Sequence, residues 1–316
     1  MGVYNKLKHI CLSLESNGND VKLTIVSDFG LKKHIKMVYL ILITNANIII
    51  LRNTLSSMSI YCLALLIKRI LGVKIIIDIP TPLHAVVHEL SSFKESNIKK
   101  IFKKILLYFV FPYSLLTANR VLQYAEESKY FSFLLKHKIK LTSNGIKTDS
   151  IDLRTKIPII NSEIILIGVG NLATWHGYDR IIRSIATFMS YENSKKTKIS
   201  FYIIGEGNSK IMLENIAENL KVKDNVIFYG SQTGPTLSRL FQKAHVAVSS
   251  LALFRKKLKR ASDLKSREYT ARGIPFIAVN GDIDFDPSPD FIYQIDNNNS
   301  EIDISDLINW YENLNY

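Results

Sequence analysis

The sequence predicts an α/β protein built as two doubly wound, Rossmann-like domains in series, and three observations carry that prediction. Short β-branched runs alternate with helical runs along the chain. The alternation runs through once, breaks at a polar stretch and starts again. The length, 316 residues, is more than one ordinary core fills and suits two domains. Near-continuous apolar strands separated by helices are covered on both faces, which means parallel sheets. Ligands bind such sheets outside the carboxyl ends of the strands, so a site is expected there, in a cleft between the domains.

The first block opens with helical spacing at residues 6–16 and a β-branched run at 21–26. Next comes the longest apolar stretch, 37–51, bounded by Lys36 and Arg52. It contains Thr44, Asn45 and Asn47 and is shorter than the ~20 residues of a membrane span, so its second half, 47–51, reads as a buried strand. A helix at 56–71, a strand at 73–79, a helix at 97–116 and strands at 120–124 and 139–142 complete the block. The polar stretch 147–161, with Pro158, is the joint, giving domains 1–150 and 151–316. The second block predicts strands at 163–169, 198–204, 225–229, 246–250, 275–279 and 291–295. Its helices fall at 178–189, 209–220, 235–244, 263–272 and 305–314. In the first of these, Ile181, Ile182, Ile185, Ala186 and Met189 share one side, the period of a helix packed on a sheet.

Lys and Arg outnumber Asp and Glu 41 to 28, a formal +13 that favours anionic partners: nucleic acid, anionic lipid or phosphorylated small molecules. No recognition helix or RNA-binding motif accompanies the charge, so nucleic acid is set aside. The two cysteines, Cys11 and Cys62, read as reduced thiols of a cytoplasmic protein; a disulfide framework or a zinc site needs more. Met1 runs straight into Gly2 without the apolar region of a secretory signal.

Glycine marks the ends of three strands in the second block. Gly170 ends the first, and Gly177 stands where the next helix starts. Gly205 and Gly207 flank Glu206 after the second, and Gly230 follows Tyr229 at the end of the third. Glycine lets backbone approach a ligand, and a helix N-terminus offers free N–H groups to phosphate. Each motif alone reads equally well as a tight strand–helix turn. The run from Ser262 to Gly273 says more. Ser262 reads as the N-cap, and Gly273 as the stop before Pro275. Lys265 falls in the first turn, where helices favour acids, and a cation belongs there if an anion shares the site. The N–H groups at Leu264 and Lys265 suit a diphosphate. Glu268, one turn on, suits two vicinal ribose hydroxyls, because an ionised carboxylate accepts several hydrogen bonds.

Taken in order, Gly170 to Gly177, Gly205-Glu206-Gly207, Tyr229-Gly230 and Leu264-Lys265 through Glu268 to Gly273-Ile274-Pro275 resemble the donor domain of GT-B glycosyltransferases, specifically the retaining GT4 family. Trp175-His176-Gly177-Tyr178-Asp179-Arg180 is similar to a bacterial subgroup that makes surface polysaccharides. The first block resembles the acceptor domain more loosely. Gly2 to Lys6 is similar to the glycine loop and helix start after the family's first strand. Asp78-Ile79-Pro80-Thr81 is similar to an acidic-Ile-Pro-Thr segment, and Asn144-Gly145-Ile146 to the segment before the domain crossover. The resemblance implies a chain shortened at both ends, without the strand before Gly2 and without a final crossover helix.

The resemblance implies a hexosyltransferase-type reaction. A sugar moves from a UDP- or GDP-linked nucleotide sugar to a hydroxyl of a saccharide or lipid-linked acceptor, with retention and without metal or cofactor. Capsular polysaccharide, exopolysaccharide or lipopolysaccharide synthesis is the implied setting. By the same resemblance the donor is held by Gly170, Asn171, His176, Gly177, Gly205, Glu206, Tyr229, Gly230, Arg260, Leu264, Lys265 and Glu268. His84, Asp78 and Glu268 take the catalytic roles, with Glu89 a further polar group. Gly2, Thr81 and His88 face the acceptor. The two histidines read equally as surface residues. Asn171 and His176 stand where many members carry Arg and Lys, and Arg260 stands where the family places an acid eight residues before Glu268. Either positive charge has moved to Arg260 and Lys265, or the chain is a glycosyltransferase-like binding or scaffold protein without turnover.

Two basic runs complete the reading. From Asn97 to Phe109, Ile98, Ile101, Phe102, Ile105 and Phe109 take one side, and Lys99, Lys100, Lys103 and Lys104 the rest. That is the pattern of a helix resting on anionic lipid at the inner face of the cytoplasmic membrane, or of a helix packed on its own sheet. The run from Arg255 to Arg260 reads as a diphosphate contact or as a solvated loop.

Overall fold

The computed structural model describes residues 2–52, 55–79, 81–90, 96–110, 115–125, 137–191 and 197–314. The chain divides into two compact units, Met1–Ser143 and Asn144–Tyr316.

In the first unit, α1 (Gly2–Ser16) and α2 (Gly30–Ile43) precede β1 (Ile48–Arg52). Then α3 (Leu55–Met58) and α4 (Cys62–Ile70) lead to β2 (Lys74–Ile79). Finally α5 (Leu83–Leu90) and α6 (Asn97–Ile105) lead to β3 (Arg120–Gln123) and β4 (Ile139–Leu141). The four strands lie in the order β1-β2-β3-β4, every neighbouring pair parallel. Ile75, Ile77, Ile79 and Val121 from the strands meet Leu65, Leu83 and Leu107 in one core. The helix expected at 97–116 ends its α-helical part at Ile105 and continues as a π-helical turn, Leu106–Val110. Residues 111–114 of that run lie outside the described residues.

Two expectations for this unit are corrected. Residues 21–26 form no strand; the run is irregular, with Leu23 and Ile25 exposed. A β-branched run becomes a strand only where a neighbour takes its N–H and C=O groups. Among the described residues this run pairs with none, and β1 is an edge with Ile48 and Ile50 exposed. The second half of the apolar stretch 37–51 forms β1, not as a buried strand but as an edge with Ile48 and Ile50 exposed, while the first half lies in α2, where Met37, Val38 and Ile41 supply a helical stripe to the core. Among the described residues no helix is long and apolar enough to cross a membrane.

The second unit follows the expected alternation closely. Its elements are β5 (Glu163–Val169), α7 (Tyr178–Ser190), β6 (Lys198–Ile204), α8 (Lys210–Asn219), β7 (Val226–Gly230) and α9 (Gly234–Lys243). They continue with β8 (Val246–Val248), α10 (Leu264–Ala271), β9 (Phe276–Val279), β10 (Ile292–Ile295) and α11 (Ile304–Glu312). The strand order is β10-β9-β8-β5-β6-β7, all parallel. Alternate residues of β5 feed two cores. Ile164 and Leu166 pack with Ile181 and Ile185 of α7, while Ile165 and Ile167 pack with Leu240 and Phe241 of α9. The chain builds outward from β5 to β7, then returns to the other side of β5 to add β8. Connections therefore diverge between β5 and β8, and such a switch point opens a crevice at the carboxyl ends of the strands.

Candidate functional site

The residues that follow β5 and β8 line that crevice. Gly170 comes directly after β5, and its N–H donates to the Ile204 carbonyl at 2.9 Å. A Cβ on Gly170 would stand 3.2 Å from Lys265 Cε and 3.5 Å from His176 Cε1, so glycine keeps open the space between those two side chains. A Cβ on Gly205, after β6, would overlap the Gly170 carbonyl, so the two turns meet backbone to backbone. The loop before α7 is pinned from across the crevice. Leu251 N donates to the His176 carbonyl at 3.0 Å, and Ala252 N to the Trp175 carbonyl at 3.1 Å. His176 is only 6% exposed, and its Nδ1 has no hydrogen-bond partner among the described residues. The Tyr269 hydroxyl donates to the Val248 carbonyl at 3.2 Å and accepts from Val169 N at 3.4 Å, tying the end of β5 to the end of β8.

The start of α10 corrects one reading. The N-cap is Asp263, not Ser262: its carboxylate accepts from Lys265 N at 3.4 Å. Ser262 is engaged elsewhere, its hydroxyl accepting from Asn144 N at 2.7 Å and its carbonyl from the Asn144 side chain at 2.6 Å. Asp263 also accepts from the Ser250 hydroxyl at 2.6 Å, and Ser249 shares a 2.9 Å hydrogen bond with Ser266. Lys265 Nζ lies 3.5 Å from the Tyr178 hydroxyl. Burial pushes Lys265 down to about 8, against the pull of Asp263. Burial, then the Lys265 charge, holds His176 well below the usual imidazole range, with Asp263 opposing. Burial would raise Asp263, but Lys265, the Ser250 hydroxyl and His176 outweigh it and hold the carboxyl low. The crevice thus holds one firm anion beside a lysine that an incoming anion would drive to keep its proton.

Glu268 follows Lys265 by three residues, on the same side of α10. Its Oε1 accepts from Arg272 Nε at 3.0 Å and Nη2 at 2.8 Å, and Oε2 takes no part in that pairing. Gly205, Glu206 and Gly230 gather at the ends of β6 and β7. Gly205 N donates to the Gly230 carbonyl at 2.8 Å, and Glu206 accepts from Lys210 at 2.9 Å. Tyr229 stacks edge-on against Tyr202, and Asn171 is exposed beside Gly170. Arg260 is spoken for: it pairs with Asp286 at 2.7 Å. Arg255, at the start of the same basic run, holds Asp179 with two hydrogen bonds of 2.7 and 2.8 Å. Sequence reasoning missed Asp263, Ser249, Ser250 and Tyr269. The Ser249-Ser250 pair directly after a strand was the available signal.

In the first unit Asp78 ends up buried near the carboxyl end of β2. Arg52, opposite it in the ladder, donates to its Oδ2 at 2.7 Å, while Oδ1 has no partner among the described residues. Lys6 Nζ sits 3.5 Å above the Tyr124 ring, and burial pushes it down to about 8 although Asp78 pulls the other way. Asp78 is thus committed to a buried ion pair. Thr81 and His84 follow, both half-buried, and His88 is exposed one turn later in α5. Gly2 opens α1. Pro80 and the Glu89 side chain lie outside the described residues.

Residues 149–282 match the family model described as Glycosyl transferases group 1. A curated relative, an uncharacterized glycosyltransferase of Methanocaldococcus jannaschii, is 28% identical over 121 residues. That stretch is 35% of this chain and 30% of the relative, so the match spans under a third of the relative's length. Anabaena Alr3699/HepE, solved in complex with UDP, is similar with a TM-score of 0.57 and 13% identity, covering 88% of this chain and 71% of that one. TarM gives a TM-score of 0.58 at 17% identity, with 89% of this chain on 51% of that one. A glycosyltransferase of Rickettsia africae gives 0.55 at 12% identity, with 95% and 77% covered. At these identities the likeness is one of fold, and that fold is GT-B, with two Rossmann-like domains as expected.

Proposed function

We propose that this chain transfers a sugar from a nucleotide-sugar donor, UDP- or GDP-linked, to an acceptor hydroxyl, with retention at the anomeric carbon, as a retaining GT4-type enzyme of surface-polysaccharide synthesis. The observation that carries the reading is the crevice at the β5–β8 switch point. There Gly170 leaves room between His176 and Lys265, and Glu268 stands one turn along α10. The diphosphate would lie against Lys265 and the first-turn N–H groups of α10, with His176 Nδ1 as a further partner. Glu268 would take the ribose hydroxyls through Oε2. A leaving diphosphate gathers negative charge, and preorganised donors aimed at it are effective at meeting it. In this reading the chain's own cation meets that charge rather than a metal ion. From the acceptor side His84 and Thr81 remain candidates. Two free thiols, Cys11 and Cys62, fit a cytoplasmic setting.

One observation favours binding without turnover. Asp78, the carboxylate expected on the acceptor side, is held by Arg52 in a buried ion pair. Calorimetry with UDP and GDP, followed by a donor-hydrolysis assay, separates the readings. The expected result is nucleotide binding with sugar release, and Glu268→Ala should weaken nucleotide binding by about ten- to a hundred-fold, the worth of hydrogen bonds to a charged group. Binding with no release of sugar from any donor points to the second reading. No nucleotide binding at all sinks both.

A further inference from the structure

The helix α6 belongs to the first unit, and the candidate donor crevice is built from the second. None of its nine residues is buried. Ile98, Ile101, Phe102 and Ile105 are 80%, 58%, 61% and 48% exposed. At a hundred degrees per residue these four share one side, and Lys99, Lys100, Lys103 and Lys104 take the other. A helix sorted so sharply ordinarily turns its apolar side to a core, and this one turns it outward. Charge is distributed just as unevenly. Met1–Ser143 carries 20 Lys and Arg against 8 Asp and Glu, a formal +12, and Asn144–Tyr316 carries 21 against 20, a formal +1. Nearly the whole basic excess therefore belongs to the unit that bears α6. In the same unit α2 sets Lys32, Lys33 and Lys36 beside exposed Leu31 and Ile35.

We propose that α6 docks the chain on an anionic lipid surface. The apolar side enters the boundary of the acyl chains, while the lysines extend their ammonium groups to the headgroups. Two features select this occupant. A nucleic acid would engage the lysines but leave four large apolar side chains in water. A neutral bilayer would take the apolar side and make no use of a +12 unit. Attraction to anionic headgroups is screened by salt, so the attachment is salt-sensitive.

The inference rests on the surface of the first unit and stands whether or not sugar transfer occurs. It is tested on the full chain by sedimentation with vesicles of phosphatidylcholine alone and of phosphatidylcholine mixed with phosphatidylglycerol. The chain should sediment with the mixed vesicles and not with the neutral ones. Ile98→Ser with Phe102→Ser should weaken partitioning by about tenfold or more, as should glutamine at all four lysines, while Phe102→Leu retains it. Circular dichroism and a UDP titration confirm that each variant is folded. Partitioning equal to the parent in the serine or glutamine variants, or equal on both lipids, overturns the proposal. So does a parent that stays in the supernatant throughout, or a lipid-free dimer that the serine variant dissociates.

Discussion

Lys265 and His176 share the opening that Gly170 leaves, and burial alters both. Lys265 titrates at about 8 in the folded chain, against an ordinary 10.5. Below about 8 the lysine is already charged, and nucleotide affinity should not respond to its titration. Above that pH the free site has lost the proton while a bound diphosphate would restore it. Affinity should therefore fall with rising pH, by up to about tenfold per unit, until the bound form titrates as well. His176 is uncharged across this window, so it contributes no slope there. Calorimetry with UDP from about pH 7 to about pH 10 measures the effect. Lys265→Arg keeps its charge throughout and should give a flat profile. Lys265→Met should be flat and about ten- to a hundred-fold weaker, the worth of one charge-assisted hydrogen bond. A slope that survives in the arginine variant would assign the titration to another group.

At the scale of elements, the switch point depends on how β5 and β8 end, and Tyr269 reaches both. Tyr269→Phe removes a donor from the Val248 carbonyl and an acceptor from Val169 N. The expected cost is about 1 kcal/mol, read as a lower urea midpoint at unchanged slope, with nucleotide affinity reduced alongside. An unchanged midpoint would mean that the strand ends are held without it. The elements also show what sequence can convey. β5 and β6 occupy the bounds expected of them, because strands buried on both faces appear as unbroken apolar runs. Residues 21–26 carry the same signal and form no strand, because a strand also needs a neighbour, and neighbours are not written locally. The cap of α10 shifted by one residue for a similar reason. Ser262 obeys the local rule, but Asn144, 118 residues away, claims its hydroxyl. Asp78 looked available from its place at a strand end, and only the ladder register opposite Arg52 shows that it is paired. The glycines, Lys265 and Glu268 were legible because turn and helix-end chemistry is local, while the supporting Asp263, Ser249, Ser250 and Tyr269 converge from separate elements.

For the whole molecule, the separation into two units has thermodynamic consequences. Each unit has its own core: one cluster lies within Met1–Ser143, and two lie within Asn144–Tyr316. The described residues of the candidate donor crevice belong to the second unit, and the Arg52–Asp78 pair belongs to the first. A ligand that binds only the native form adds stability to the unit that holds it, about 2.7 kcal/mol at a hundredfold excess over Kd. Removing one partner of a buried ion pair strands the other charge, at about 3–5 kcal/mol. Scanning calorimetry of the full chain should accordingly show two transitions. UDP should raise one and leave the other in place. Arg52→Ala should lower the transition that UDP does not move, and UDP should still bind that variant with the parent's affinity. If one transition shifts as a whole under both perturbations, the units unfold as one cooperative body. Loss of UDP binding in Arg52→Ala would mean that the first unit takes part in holding the nucleotide.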